Sequence, residues 1–286
     1  MTTQTNASED AGRGHRTMRH FTVHHDDVTL PVSRGGRGRP LVLCPGLSVT
    51  RSDLHELTGL LRRDHDVVTF DLRGHGLASA ADRYSFDGFL SDLGAVMAEL
   101  GRLQLPSPPV LVGYSLGADL ALHYASEHPD AIAGLVLIDG ANPLPEPFIT
   151  DADLPLFRAM WEDQVTRQQT GRANGTARQV LLTAQDILGL NLEIDAVRSV
   201  ILDRYRKIDR PISMIMSTSM AGDSAEAERA SRYNRLWRDG IARLVRDRPQ
   251  ISTAWLEADH RLVFTHAPEI AEIIRSACRR LGGPTP

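Results

Sequence analysis

The chain is poor in cysteine: Cys44 and Cys278 are the only two among 286 residues, and they show no CxxC spacing. Two are too few to frame a disulfide scaffold, so reduced thiols in the cytoplasm are the expectation. No uninterrupted apolar run approaches the ~18 residues that a membrane span needs. Excess charge of one sign is also missing, since 32 basic residues stand against 36 acidic ones for a net charge of −4. That balance leaves no electrostatic footprint for nucleic acid or an anionic membrane, and neither is expected as a partner. The opening MTTQTNASEDAGRGHR is polar and has no apolar h-region. It reads as a disordered tail over 1–18 rather than a targeting segment. RGGRGRP at 34–40 has glycines but no Gly-Lys-Ser/Thr ending, so it reads as a connection and not a phosphate loop.

What is present is ordinary for a globular protein, with 42% hydrophobic and 24% charged residues in a length that suits one α/β domain. Residues 19–35 alternate apolar and polar around Asp26 and Asp27, the pattern of an edge hairpin. His24 and His25 lie beside that turn, but neighbours in a strand point to opposite faces, so no metal site is expected there. Short runs that are apolar on both faces follow at 40–46, 66–71, 109–115 and 132–139, as buried parallel strands are. Between them, 51–63, 85–103 and 116–128 space their apolar residues three and four apart, which predicts helices. Strand and helix in repeated alternation mean a mostly parallel sheet flanked by helices, an α/β fold. From 140 to 209 the rhythm changes to a proline-rich start and helical stretches, including one over 194–207, which predicts a helical insertion. A strand at 211–217, a long helix over about 223–246, a strand at 251–258 and a helix at 268–281 then complete the sheet. The expected division is a core of 19–139 and 210–286 with an inserted cap over 140–209.

PVLVGYSLGADLAL at 109–122 drives an apolar strand into one serine fenced by glycines and then into a helix. A serine between strand end and helix start sits in a tight turn, and side chains two residues to either side would clash, so Gly113 and Gly117 are required. The helix that begins at Leu116 offers unsatisfied N–H groups and its positive dipole end to any anion formed beside Ser115. A serine that merely caps a helix is the plainer alternative.

With this motif in hand, the chain resembles the α/β-hydrolase superfamily over roughly Val32 to Leu281. LVLCPGLSVTRSDL stands where that family carries a strand and an HG turn, and FDLRGHGLAS at 70–79 is close to its loop after the next strand. Cys44 and Pro45 depart from the family pattern, which has a histidine before the glycine. Gly46 is kept, so the resemblance implies an oxyanion hole from the backbone N–H groups of Leu47 and Leu116. A serine hydroxyl needs a base, and the family order is serine, acid, histidine. The resemblance places that base at His260, directly after the last strand, in preference to His266 at the start of the final helix. It places the acid after one of two strands, at Asp139 or at Asp223. Asp139, which ends a clean apolar strand beside the serine turn, is preferred, while Asp223 also reads as a helix cap. Arg73 and His75 read as residues that order their loop, and Met214, Met216 and Met220 as core or pocket lining.

The resemblance implies an enzyme that opens an ester, thioester or lactone through an acyl-enzyme on Ser115, with no metal or organic cofactor. Its partner would be a small molecule, and the residues carry no signal for oligomeric state. Leu154, Leu156, Phe157, Met160 and Trp161 in the insertion, which in this family forms a lid, suggest an apolar or polyketide-like substrate. The family also runs acyl transfer, lyase and elimination reactions and includes receptors with little turnover, which are the alternatives.

Overall fold

Five consecutive strands carry almost nothing but buried residues, and that fixes them inside a sheet covered on both faces. The computed structural model describes residues 18–175, 179–222 and 227–282; the tail expected over 1–18 lies outside them except for Met18. The strands are β1 (Arg19–His25), β2 (Val28–Gly36), β3 (Arg39–Cys44), β4 (His65–Phe70), β5 (Val110–Tyr114), β6 (Gly134–Ile138), β7 (Ile212–Ser217) and β8 (Ser252–Leu256). They form one eight-stranded sheet in the order β1-β2-β4-β3-β5-β6-β7-β8. β1 and β2 form the expected hairpin, β2 pairs antiparallel with β4, and the pairs from β4 through β8 are all parallel. The chain leaves β3 toward β4 and returns to β5 on its other side, so the order reverses between β3 and β5. Open α/β sheets place their clefts at such a reversal, outside the carboxyl ends of the strands.

The helices are α1 (His55–Leu61), α2 (Phe86–Arg102), α3 (Leu116–Glu127), α4 (Leu154–Ala173), α5 (Ala184–Ser199), α6 (Ile201–Arg206), α7 (Ala227–Asp247), α8 (Leu262–Thr265) and α9 (Ala267–Arg280). α1, α8 and α9 pack on one face of the sheet with Leu57, Leu61, Val263 and Ile270, while α2 to α7 join the larger core on the other. Cys44 and Cys278 are free thiols in these separate cores. Among the described residues no helix is long and apolar enough to cross a membrane.

Three elements differ from expectation. The helix predicted from residue 51 begins at His55, because the Asp53 carboxylate accepts from the Thr50 N–H (2.8 Å) and hydroxyl (2.7 Å) and holds 50–53 in a turn. The helix predicted over 194–207 is two helices that meet at Val200, where the backbone leaves the helical region at φ −115° and ψ 9°. The first of them starts ten residues earlier, at a capping box in which the Thr183 hydroxyl accepts from the Asp186 N–H and Asp186 accepts from the Thr183 N–H.

Candidate active site

Ser115 stands between β5 and α3 at φ 53° and ψ −123°, a backbone region that costs an L-residue energy and persists only where its surroundings enforce it. The enforcement is steric. A Cβ on Gly113 would be driven into the Gly117 carbonyl, and one on Gly117 into the carbonyls of Cys44 and Pro45. Only glycine lets the strand end, the helix start and the loop after β3 close up in this way. The Ser115 N–H still donates to the Ile138 carbonyl (2.9 Å), so the serine is pinned to the sheet while its side chain, half-buried, faces a cavity.

Across the cavity floor, His260 occupies the loop between β8 and α8. The Tyr114 hydroxyl donates to its carbonyl (2.6 Å), and its own N–H donates to the Met220 carbonyl (3.3 Å). Its Nε2 lies 2.9 Å from Ser115 Oγ and its Nδ1 lies 2.7 Å from Asp139 Oδ2. Asp139 follows β6, is wholly buried and has φ 46°. Its carboxylate accepts from the Ser217 N–H (2.9 Å), the Ser217 hydroxyl (2.8 Å to Oδ2) and the indole Nε1–H of Trp237 (2.9 Å). These donors fix its rotation so that Oδ2 faces the imidazole. The structure therefore brings together Ser115, Asp139 and His260 from three strand ends. His266 stands instead at the start of α9, with Nδ1 2.8 Å from the Thr265 hydroxyl. Asp223 lies outside the described residues.

Leu47 and Leu116 both line the cavity beside Ser115. Neither N–H has an acceptor among the described residues. The loop that carries Leu47 is held from behind. His75 is wholly buried and, with its Nδ1 2.8 Å from the Arg73 carbonyl, accepts the Ser48 N–H on Nε2 at 3.0 Å. Burial pushes the His75 pKa down to about 4, which keeps Nε2 free to accept. Asp71 accepts the Arg51 N–H (2.8 Å), a second tie between the two loops. Arg73 is engaged elsewhere, in a bidentate pair with the buried Asp92 at 2.6 and 2.7 Å. Both residues order their loop, as expected.

The cavity has a volume of about 620 Å³. Its apolar wall includes Leu156, Phe157, Met160 and Trp161 of α4 and Met220, while Leu154 packs into the core beneath. Met214 and Met216 are buried core. Sequence reasoning missed Trp237 and Ser217 as partners of Asp139. A tryptophan on the apolar stripe of α7 reads as packing, and nothing in its neighbours shows where the indole N–H ends.

A serine on a forced strand-to-helix turn at the reversal of a wound parallel sheet defines a class of α/β protein, and comparisons with known proteins agree. A profile of the family described as having the alpha/beta hydrolase fold matches residues 39–243. The AB hydrolase superfamily protein YisY of Bacillus subtilis (strain 168) is 30% identical over 129 residues, 44% of this chain and 47% of that protein. An sn-1-specific diacylglycerol lipase of Mus musculus is 27% identical over 139 residues, 46% of this chain and 41% of that protein. The matched segment thus spans less than half the length of these curated relatives. Among solved structures, the thioesterase domain from the curacin biosynthetic pathway superposes with a TM-score of 0.65 at 18% identity, over 91% of this chain and all of that one. The chain belongs to the α/β-hydrolase family.

Proposed function

We propose that the protein is a cytoplasmic serine hydrolase that cleaves an ester, thioester or lactone of a small apolar or polyketide-like substrate. Ser115 attacks the carbonyl carbon while His260 Nε2 takes its proton, and Asp139 holds the ring and stabilises the imidazolium. The N–H groups of Leu47 and Leu116 receive the developing oxyanion. His260 then returns the proton to the departing alcohol or thiol, and it activates water to release the acyl group from Ser115. The observation that carries this reading is the unbroken chain of contacts Ser115 Oγ, His260 Nε2, His260 Nδ1, Asp139 Oδ2, at 2.9 and 2.7 Å. The segment 140–209 serves as the lid that shapes the substrate site, since α4 and α5 provide much of its wall.

A fluorophosphonate probe with a screen of short-chain p-nitrophenyl esters and thioesters tests the reading. The wild type is expected to be labelled at one serine and to turn over at least one of them. Ser115→Ala is expected to lose labelling, and Ser115→Ala and His260→Ala are each expected to lose about 10⁴-fold or more in rate with the fold intact. Wild-type turnover in either folded variant would overturn the assignment.

A further inference from the structure

The cavity wall is not uniformly apolar. Asn191, Asp195 and Arg198 stand four and three residues apart along α5, so they share one face of the helix, and all three line the cavity. Arg198 is buried, with 9% of its surface exposed. Its Nε and Nη2 donate to the two carboxylate oxygens of the buried Asp119 at 2.9 and 2.7 Å, while Nη1 has no acceptor among the described residues. Asp119 stands one helical turn beyond Ser115 on α3, about 6 Å along the axis. The guanidinium also lies over the ring of Trp237, 5.4 Å from its centroid, beside the indole that holds Asp139. A rigid cationic donor thus lines the same cavity as Ser115. A structural ion pair between α3 and α5 would need only the two nitrogens already used.

Charge decides what Nη1 can receive. Arg198 faces Asp119 on one side and Asp195 on its own helix, where the Asp195 Oδ2 accepts the Ile149 N–H at 2.8 Å. One cation among two carboxylates leaves no surplus positive charge to hold an anion. Arg229, farther round the wall, faces Asp153 at 3.6 Å. A neutral oxygen, by contrast, fits a donor that is fixed at its other two nitrogens and otherwise idle.

Resting on the hydrolase reading above, we propose that Arg198 is a specificity-determining residue and that the natural acyl group carries a neutral oxygen, as a ketone or hydroxyl, a few carbons from the scissile carbonyl. The test compares p-nitrophenyl hexanoate with p-nitrophenyl 5-oxohexanoate, equal in chain length. A wholly apolar cavity would favour the hexanoate, because the ketone would lose its water without replacement. A hydrogen bond from Arg198 reverses the order, and the oxo ester is expected to lead by about tenfold in kcat/KM. Arg198→Lys, which can keep the ion pair with Asp119 but lacks the third nitrogen, is expected to bring the ratio to one or below. A wild-type preference for the hexanoate, or an undiminished oxo preference in folded Arg198→Lys, would overturn the proposal. Binding of 5-oxohexanamide and hexanamide to Ser115→Ala, read by calorimetry, needs neither turnover nor the Arg198 variant. Tighter binding of the oxo amide supports the Arg198 contact even if no ester is cleaved, whereas equal or weaker binding sinks it.

Discussion

The strand ends and the cavity wall are built on different physical terms. At the carboxyl ends of β5, β6 and β8, each residue of the proposed triad is held by several constraints at once: Ser115 by two glycines and a sheet hydrogen bond, Asp139 by Ser217 and Trp237, His260 by Tyr114 and Met220. The wall on α4 and α5 is held largely by packing, with the Arg198–Asp119 ion pair and backbone ties such as that from the Ile149 N–H to Asp195, and side chains such as Leu156 and Met160 remain over a third exposed. Positional precision is concentrated where bonds would be broken, because a misplaced base costs far more than a loosely fitted acyl chain. The chemistry should therefore be brittle to substitution and the selectivity plastic.

The sharpest way to break this contrast is at the acid. Asp139→Asn keeps the hydrogen-bonding shape but offers His260 the wrong partner, and is expected to lower kcat about 10³- to 10⁴-fold without unfolding the protein. Asp223→Asn is expected to leave kcat within about twofold. Ester hydrolysis with a circular-dichroism check of the fold separates the two, and the reverse pattern would move the acid to the loop after β7.

A smaller effect is expected at the indole that donates to Asp139. Trp237→Phe keeps the ring under Arg198 but removes the Nε1–H that Asp139 Oδ1 accepts. Loss of a hydrogen bond to a buried carboxylate should lower kcat about tenfold while KM stays within about twofold. A rise in KM with unchanged kcat would show that Trp237 belongs to the wall and not to the machinery.

His75 offers a test through pH. Its pKa falls from 6.5 in the unfolded chain to about 4 in the fold, so between those values the unfolded state binds more protons. This group's contribution to stability is complete above pH 6.5 and declines by roughly 1.4 kcal/mol per unit as the pH falls toward 4, a total on the order of 3 kcal/mol. Denaturant unfolding at pH 7, 5.5 and 4.5 is expected to show a shallower acid loss in His75→Gln, whose side-chain oxygen can still accept the Ser48 N–H. Equal slopes in the two proteins would remove His75 from the acid sensitivity of the loop behind Leu47.

The same contrast explains what could be read from the residues. Gly113, Ser115 and Gly117 are legible because sterics admit few alternatives at a strand-to-helix turn, and the buried strands because they are apolar on both faces. Asp139 is less legible. Two acids follow two strands, and only a three-dimensional arrangement brings one of them within 2.7 Å of His260. The break at Val200 leaves no mark in the sequence, because apolar spacing continues through it. The capping box at Thr183, by contrast, has a local signature, a threonine followed three residues later by an acid. Partners of the Trp237 indole and of the Arg198 guanidinium depend on contacts between distant segments, for which one chain carries no local signal.

The smallest expected change lies in the wall itself. Met160 is 43% exposed where α4 borders the cavity, and its flexible thioether fills space without fixing any reacting group. Met160→Ala should therefore leave kcat for p-nitrophenyl acetate unchanged, because the short acyl group does not reach that far. With a longer ester the extra room changes the fit of only the chain's distal methylenes, so the ratio of kcat/KM between decanoate and acetate should move by no more than about fivefold. A large fall in kcat for acetate would mean that α4 also sets the geometry at Ser115, and the separation between brittle strand ends and plastic wall would fail.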